Sequence, residues 1–399
     1  MKTRSLVFFV LLLGLSTSLS AQSFYSRKGI GLVHYFVSGR SVAMGGVGLA
    51  FIEPLTVNYL NPAALAALPL TTVSGNFLHQ AVDVNGASPD AFISDTNVAG
   101  LQFVIPIKKE VISISIGAAP YSRIQYGFSN LGSDGENSYR ETVSGDGGVT
   151  SAFFSLAVRP VKRFYLGITG LFYFGRLSTN WRLDFVNSTL QDARDKVSRT
   201  FNAGNFRVGV LYKVNSSLNV AAVLSPSVTL DANKEVSTRF SEFTDFPNSD
   251  LELPLAFGLG TSWKLSTKIL LGADYYTELW SKSNFQDEGI VNDSQRIALG
   301  IEFLPNSSVA GSYLSRVAYR AGFFYRDLGI EDPIGERVTE FFGSIGLGLP
   351  VRWRAGRIDL ALEGGRRGSL SSNPIRETVV RVSASISVGQ KWFYRGGRR

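Results

Sequence analysis

Apolar and polar residues alternate along the final stretch of this chain with almost no interruption. Between Glu377 and Gln390, Val380, Val382, Ala384, Ile386 and Val388 share one parity, and Arg381, Ser383, Ser385, Ser387 and Gly389 share the other. Alternation of period two gives a β-strand one apolar and one polar face. The same pattern recurs along most of the chain. Ile112, Ile114 and Ile116 oppose Ser113 and Ser115, and Ile297, Leu299, Ile301 and Phe303 oppose Arg296 and Glu302. Ile358, Leu360 and Leu362 oppose Asp359 and Glu363, and Leu271, Ala273 and Tyr275 oppose Asp274 and Glu278. Arg320, Arg326 and Arg381 fall on the polar parity as well. A soluble double-sheet protein turns its apolar faces together. A transmembrane barrel turns them to lipid and its polar faces to the lumen, and Arg or Lys on the lipid face near the midplane costs about 2–4 kcal/mol. Restriction of these charges to one parity favours the barrel.

Segments bounded by Gly, Pro, Asn, Asp and Ser give about fourteen strands. They lie near 71–80, 97–107, 111–128, 146–160, 163–176, 199–214, 218–230, 253–265, 268–284, 294–304, 314–327, 338–349, 356–368 and 377–391. The connections alternate between a tighter set, such as Lys108–Glu110 and Val161–Lys162, and longer polar stretches at 129–145, 177–198 and 231–252. An even strand number with short turns on one side and long loops on the other is the outer-membrane pattern. The fold class expected is all-β: a closed antiparallel transmembrane β-barrel of about fourteen strands. Trp263, Tyr212, Trp392 and Phe393 fall near strand ends, where an interfacial aromatic girdle sits.

The N-terminus carries Lys2 and Arg4, an apolar run from Leu6 to Leu15, and small residues through Ala21. That layout is a cleaved export signal, too short for a spanning helix. The expected domains are a signal peptide at 1–21, a hatch or plug at 22–70, the barrel at 71–393 and a basic periplasmic tail at 394–399. The expected location is the outer membrane of a diderm bacterium. The chain has no cysteine, which excludes a lipoprotein anchor, disulfides and thiolate metal sites. Its formal net charge of +8 is spread over turns, lumen-facing positions and the tail, so no nucleic-acid partner is implied.

Residues 22–70 do not alternate. They hold Gly39-Arg40, Met44-Gly45-Gly46 and Asn61-Pro62-Ala63, and an apolar, glycine-rich segment of this kind has the lumen as its place of burial. Glycine permits close backbone packing and positive φ, and Asn-Pro favours a turn. These runs resemble the FadL-type outer-membrane transport proteins and their Bacteroidota relatives of PorV/PorQ type, as do the order of signal, hatch and strands and the closing Gln390-Lys391-Trp392-Phe393. The resemblance implies passage of fatty-acid-like hydrophobic molecules past the hatch, or service to a protein secretion and surface-attachment system; a general porin is a third reading. The expected partners are outer-membrane lipid with hydrophobic small molecules or secretion-system proteins. Phe51–Val57 departs from the common pattern, which has paired acidic residues there.

Asn61-Pro62-Ala63 reads either as the cap of a turn or as a gating element, alongside Gly39, Arg40, Met44, Gly45 and Gly46. Gly45-Gly46-Val47-Gly48 lacks the spacing and flanking strand of a dinucleotide loop. Histidine is confined to His34 and His79, poor material for a Ser-His-Asp site, and the acidic residues of 242–252 lack calcium-loop spacing. No enzyme activity, cofactor or metal is expected. Gly117 and Pro120 interrupt the third strand, and proline there favours an edge, bulge or break. In FadL-type proteins this strand is associated with a kink that opens the wall toward lipid, so Gly117 and Pro120 are the candidate lateral opening; an innocuous place at the outer rim is the alternative.

Overall fold

The computed structural model describes residues 23–392 apart from 36–37, 54, 56–57, 87–90, 134, 136, 187–189, 239–241, 244–249, 285–288, 307–311, 333 and 352–355. The expected signal peptide and basic tail, with Phe393, lie outside the described residues. The wall has fourteen strands. They are β1 (Thr71–Asn85), β2 (Ala91–Lys108), β3 (Ile112–Ser133), β4 (Ser138–Val161), β5 (Phe164–Phe185) and β6 (Ala193–Lys213). Then come β7 (Leu218–Ser225, resuming as Val228–Thr238) and β8 (Leu251–Leu253, resuming as Ala256–Lys264), broken at Pro226 and Pro254 where a ladder donor is missing. The remainder are β9 (Ile269–Glu278), β10 (Ser294–Phe303), β11 (Ala318–Glu331), β12 (Arg337–Val351), β13 (Gly356–Arg367) and β14 (Arg376–Gln390). Every neighbouring pair is antiparallel. β14 closes on β1, with Arg376 opposite Asn85 and Gln390 opposite Thr71.

The two faces separate by parity. Ile386 is 50 % exposed and its neighbour Ser385 only 1 %. Ile297, Leu299, Ile301 and Phe303 point outward, whereas Arg296, Asp274, Asp359, Glu363, Arg320 and Arg326 are buried inside.

Several strands run further than the alternation indicates. The expected loops at 129–145, 177–198 and 231–252 are largely paired strand: Asn130 lies opposite Glu141, Asn180 opposite Lys196, and Lys196 opposite Ser237. Above the bilayer both faces of a strand meet water, so the backbone ladder continues while the apolar parity that reveals it stops. At two other places the chain leaves the sheet sooner than expected. Trp280–Lys282 and Leu314–Arg316 are single 3₁₀ turns and not strand ends.

The described residues between Ser23 and Leu70 pack against the lumen-facing side chains. Glycines on the wall make room for them. A Cβ on Gly322 would lie 2.2 Å from the Met44 carbonyl carbon, and one on Gly300 would lie 2.5 Å from the Met44 oxygen. The Met44–Gly46 turn is thus seated directly on the backbone of β10 and β11, and Gly45 itself has φ +66°.

Arginine at Ile386, close to the middle of β14, should lower the unfolding free energy by about 2–4 kcal/mol. Leu131→Arg, on the extended tip of β3, should stay within about 0.5 kcal/mol of the parent. Urea titration in lipid vesicles distinguishes the two; equal costs would place the tip at bilayer depth.

Candidate functional site

The hatch is joined to the wall by a closed ring of alternating charge. Ser38 caps a short helix, Gly39–Ala43, its hydroxyl accepting from Ser41 N, and the helix points Arg40 at the wall. Arg40 Nε lies 3.0 Å from Glu53 and 3.1 Å from Glu302. Glu302 also receives Arg320, at 2.6 Å, and Arg320 reaches Asp359 at 2.6 Å. Asp359 is met by Arg357 at 2.9 Å, and Arg357 pairs with Glu53 to complete the circuit. Three guanidinium and three carboxylate groups therefore each have two partners of opposite sign. Two come from the hatch, and four come from β10, β11 and β13. A buried charge is tolerated when paired, and this arrangement gives each charge two partners of opposite sign without leaving net charge.

A second set of contacts grips hatch backbone. Asp274 accepts from Gly48 N at 2.7 Å and Leu49 N at 3.0 Å, while Arg296 donates to the carbonyls of Gly45 and Gly46. Asn61 caps the 3₁₀ helix Pro62–Ala67, its side-chain oxygen accepting from Ala63 N, and its amide donates to Leu49 O and Val210 O. Gly209 faces this amide closely: a Cβ there would lie 2.1 Å from the Asn61 oxygen.

Higher in the lumen, Arg326 donates to Val33 O and Tyr35 OH, both at 3.1 Å, and Tyr35 donates to Glu278 at 2.8 Å. Glu340 receives Arg326 and Arg367. Arg367 also pairs with Glu377, which accepts from Ser23 Oγ and Phe24 N. Arg381 pairs with Glu363 and donates to Gln80 at 2.6 Å.

The wall itself is split between β2 and β3. Their register runs from Lys108 opposite Ile112 to Leu101 opposite Ala118 and stops there. Both strands bulge at that height: Ala99 is extra between Val98 and Gly100, and Tyr121 is extra between Pro120 and Ser122. Beyond the bulges β2 stays with β1 and β3 with β4. The hatch lies along the open edge of β3. Leu32 and Val33 pair with Arg123 and Ser122, His34 N donates to Tyr121 O at 2.8 Å, and Ser23 N donates to Gln125 O at 3.1 Å. Across the split, Arg123 forms an ion pair with Asp95 of β2 at 3.3 Å.

A small cavity lies behind the split. Phe77, Leu78, Val98, Ala99, Pro120 and Leu32 supply apolar lining; Arg123, Arg326, Arg367, Arg381, Glu340 and His34 supply polar lining. Burial first, and then the guanidinium groups of Arg381, Arg123, Arg326 and Arg367, push the His34 ring down to about 3. His34 is therefore neutral near pH 7.

Of the residues singled out from sequence, Arg40, Glu302, Arg320 and Asp359 meet in the ring. Gly45, Gly46, Asp274 and Arg296 meet at the gripped turn, and Asn61-Pro62-Ala63 forms a capped 3₁₀ helix. Glu278 and Arg326 meet at Tyr35. Pro120 stands beside the bulge, whereas Gly117 lies below it, paired opposite Gln102, where a Cβ would meet Leu101 O at 2.5 Å. Sequence reasoning did not single out Glu53, Arg357, Arg123 or Asp95. Arg357 and Asp359 do share one parity on β13, a legible signal; Glu53 sits in an irregular segment that offers none.

Arg320→Met leaves Glu302 and Asp359 each short of a partner in a buried site and should cost about 3–5 kcal/mol, read by urea titration. A pH comparison isolates His34. Its folded value lies below the ordinary 6.5, so the unfolded chain binds the extra proton, and stability falls as pH drops from about 6.5 toward 3. His34→Gln should flatten that part of the parent's profile; identical slopes would show that His34 does not titrate on unfolding.

No curated protein matches the sequence. Among solved structures, the chain is similar to a Pseudomonas aeruginosa FadL homologue, with TM-score 0.64 and 12 % identity over 90 % of this chain and 99 % of that one. It is similar to the CymD monoaromatic hydrocarbon channel, with TM-score 0.57 and 16 % identity over 90 % and 98 %. It is also similar to the Pseudomonas putida toluene transporter TodX, with TM-score 0.56 and 14 % identity over 94 % and 100 %. The fold is that of the FadL-type outer-membrane channels. The family model described as BamG matches residues 1–396, and the chain belongs to the BamG family.

Proposed function

We propose that this protein is an outer-membrane conduit that takes small hydrophobic molecules into the cavity behind the split and releases them sideways into the lipid between β2 and β3. The observation that carries this reading is the loss of β2–β3 pairing above Leu101 and Ala118, with a cavity lined by apolar and polar side chains beside it. Neighbouring strands at bilayer level ordinarily leave no backbone group unpaired, so a maintained split has a functional explanation. The relatives of like fold that are described as a monoaromatic hydrocarbon channel and a toluene transporter support the substrate class. Fatty-acid-like amphiphiles belong to the same proposal, because the cavity lining combines apolar and charged side chains. The reading is non-catalytic. It assigns the hatch, including Gly39, Arg40, Met44, Gly45, Gly46 and Asn61-Pro62-Ala63, a seated role that shuts the lumen, and it places the lateral route beside Pro120.

A second reading, service to a secretion or surface-assembly partner, is favoured by one observation. The edge of β3 from Gly127 to Ser133 extends past the hatch without a charged residue or a proline, and natural edge strands are usually blunted by such residues.

The test uses N-phenyl-1-naphthylamine, an uncharged aromatic whose fluorescence rises in membrane, with a heterologous diderm host expressing the protein. The parent should accelerate its uptake over the empty host. Ala99→Trp, which fills the cavity mouth, should return uptake to the empty-host rate at unchanged barrel abundance. Equal uptake by parent and empty host would reject the conduit and leave the partner reading.

A further inference from the structure

We propose that the Arg123–Asp95 ion pair is the latch of the split, holding the upper halves of β2 and β3 together until a hydrophobic molecule passes between them. The inference rests on the lateral-route reading and names the residues that control it.

Three observations converge on this pair. First, no backbone register joins β2 and β3 from Gly100 and Ala119 outward among the described residues, and the ion pair reaches across that interval at 3.3 Å. Second, Arg123 lines the cavity, so the pair adjoins the space from which the proposed route leads. Third, the backbone of Arg123 is held independently of its side chain. It lies opposite Gly148 of β4 on one side and Leu32 of the hatch on the other, and Asp95 lies opposite Gln80 of β1. Losing the side-chain contact therefore unfastens the split without removing either strand from its ladder.

The degree of exposure supports a latch and not a rivet. The Arg123 side chain is 30 % exposed and that of Asp95 11 %, whereas Arg320 and Asp359 in the hatch ring are 1 % and 2 % exposed. A pair enclosed on fewer sides parts at smaller cost than a fully buried one. Hydrogen bonding from the Asn97 amide to Asp95 keeps the carboxylate oriented toward the split while the pair is closed.

The chain has no cysteine, which permits a clean cross-link. Asp95→Cys with Arg123→Cys, bridged by a short bis-methanethiosulfonate reagent, should reduce N-phenyl-1-naphthylamine uptake to the empty-host rate, and reductant should restore it. Arg123→Gln and Asp95→Asn should each raise uptake about two- to fivefold, the change in open population that loss of a partly exposed pair allows. The charge-swapped protein, Asp95→Arg with Arg123→Asp, should return it to the parental rate. Heat-modifiable mobility on gels confirms that each variant is a folded barrel. Parental uptake through a fully bridged protein, verified by mass, overturns the latch and leaves the conduit standing. Equal uptake by parent and empty host removes the conduit, and the latch with it.

Discussion

The ring formed by Arg40, Glu302, Arg320, Asp359, Arg357 and Glu53 is the constraint around which the interior is organised. Most of its charges are withdrawn from bulk water, and each has two neighbours of opposite sign. The arrangement exists only when β10, β11 and β13 are already aligned and the hatch is inside. Hatch docking is thereby linked to barrel closure, even though Arg40 and Arg357 are far apart in the chain. The wall glycines follow from the same requirement. Gly300 and Gly322 let the Met44–Gly46 turn sit against the backbone of the wall, and from that seat Arg296 reaches the Gly45 and Gly46 carbonyls while Asp274 reaches the Gly48 and Leu49 amides.

The split poses the opposite problem. Backbone groups that give up their ladder need other partners, and lipid offers none. The hatch supplies them to β3 by laying Leu32 and Val33 along its edge as a two-residue strand, with His34 and Ser23 adding single bonds to Tyr121 and Gln125. Bulges at Ala99 and Tyr121 fall at the same height on the two strands, and a bulge bends and twists the strand that carries it. Divergence of β2 from β3 is thus encoded in both strands, and the hatch completes the wall that they leave open.

Much of this architecture was legible in the sequence because lipid enforces it. The penalty for charge on the outer face made parity informative, and Arg296, Asp274, Asp359 and Glu363 were placed inside on that basis alone. The upper ends of β3 to β7 were not legible, since above the bilayer that penalty vanishes and Asn130, Glu141 or Lys196 can point either way. Pro120 announced an interruption because its missing donor is a local property. Gly117, three residues earlier, sits in regular pairing, and its lack of a side chain serves the close approach of Leu101 and Phe153. Glu53 was invisible as a site residue for a further reason: its wall partner Arg357 is brought to it only by closure of the barrel, and no periodicity surrounds it.

The two kinds of ion pair also divide the molecule mechanically. Breaking a buried pair by removing or displacing one partner costs about 3–5 kcal/mol, and lifting the hatch out of the lumen disturbs the whole ring together with the backbone grips at Asp274 and Arg296. A pair such as Arg123–Asp95, with side chains 30 % and 11 % exposed, parts at lower cost than one enclosed on all sides. On the proposed lateral route, the weaker pair makes the split the easier of the two openings, and a molecule held behind Ala99 and Pro120 leaves sideways. The proposed direction then depends on a seated hatch: a mobile one would offer a second exit, and the lateral seam would lose its advantage.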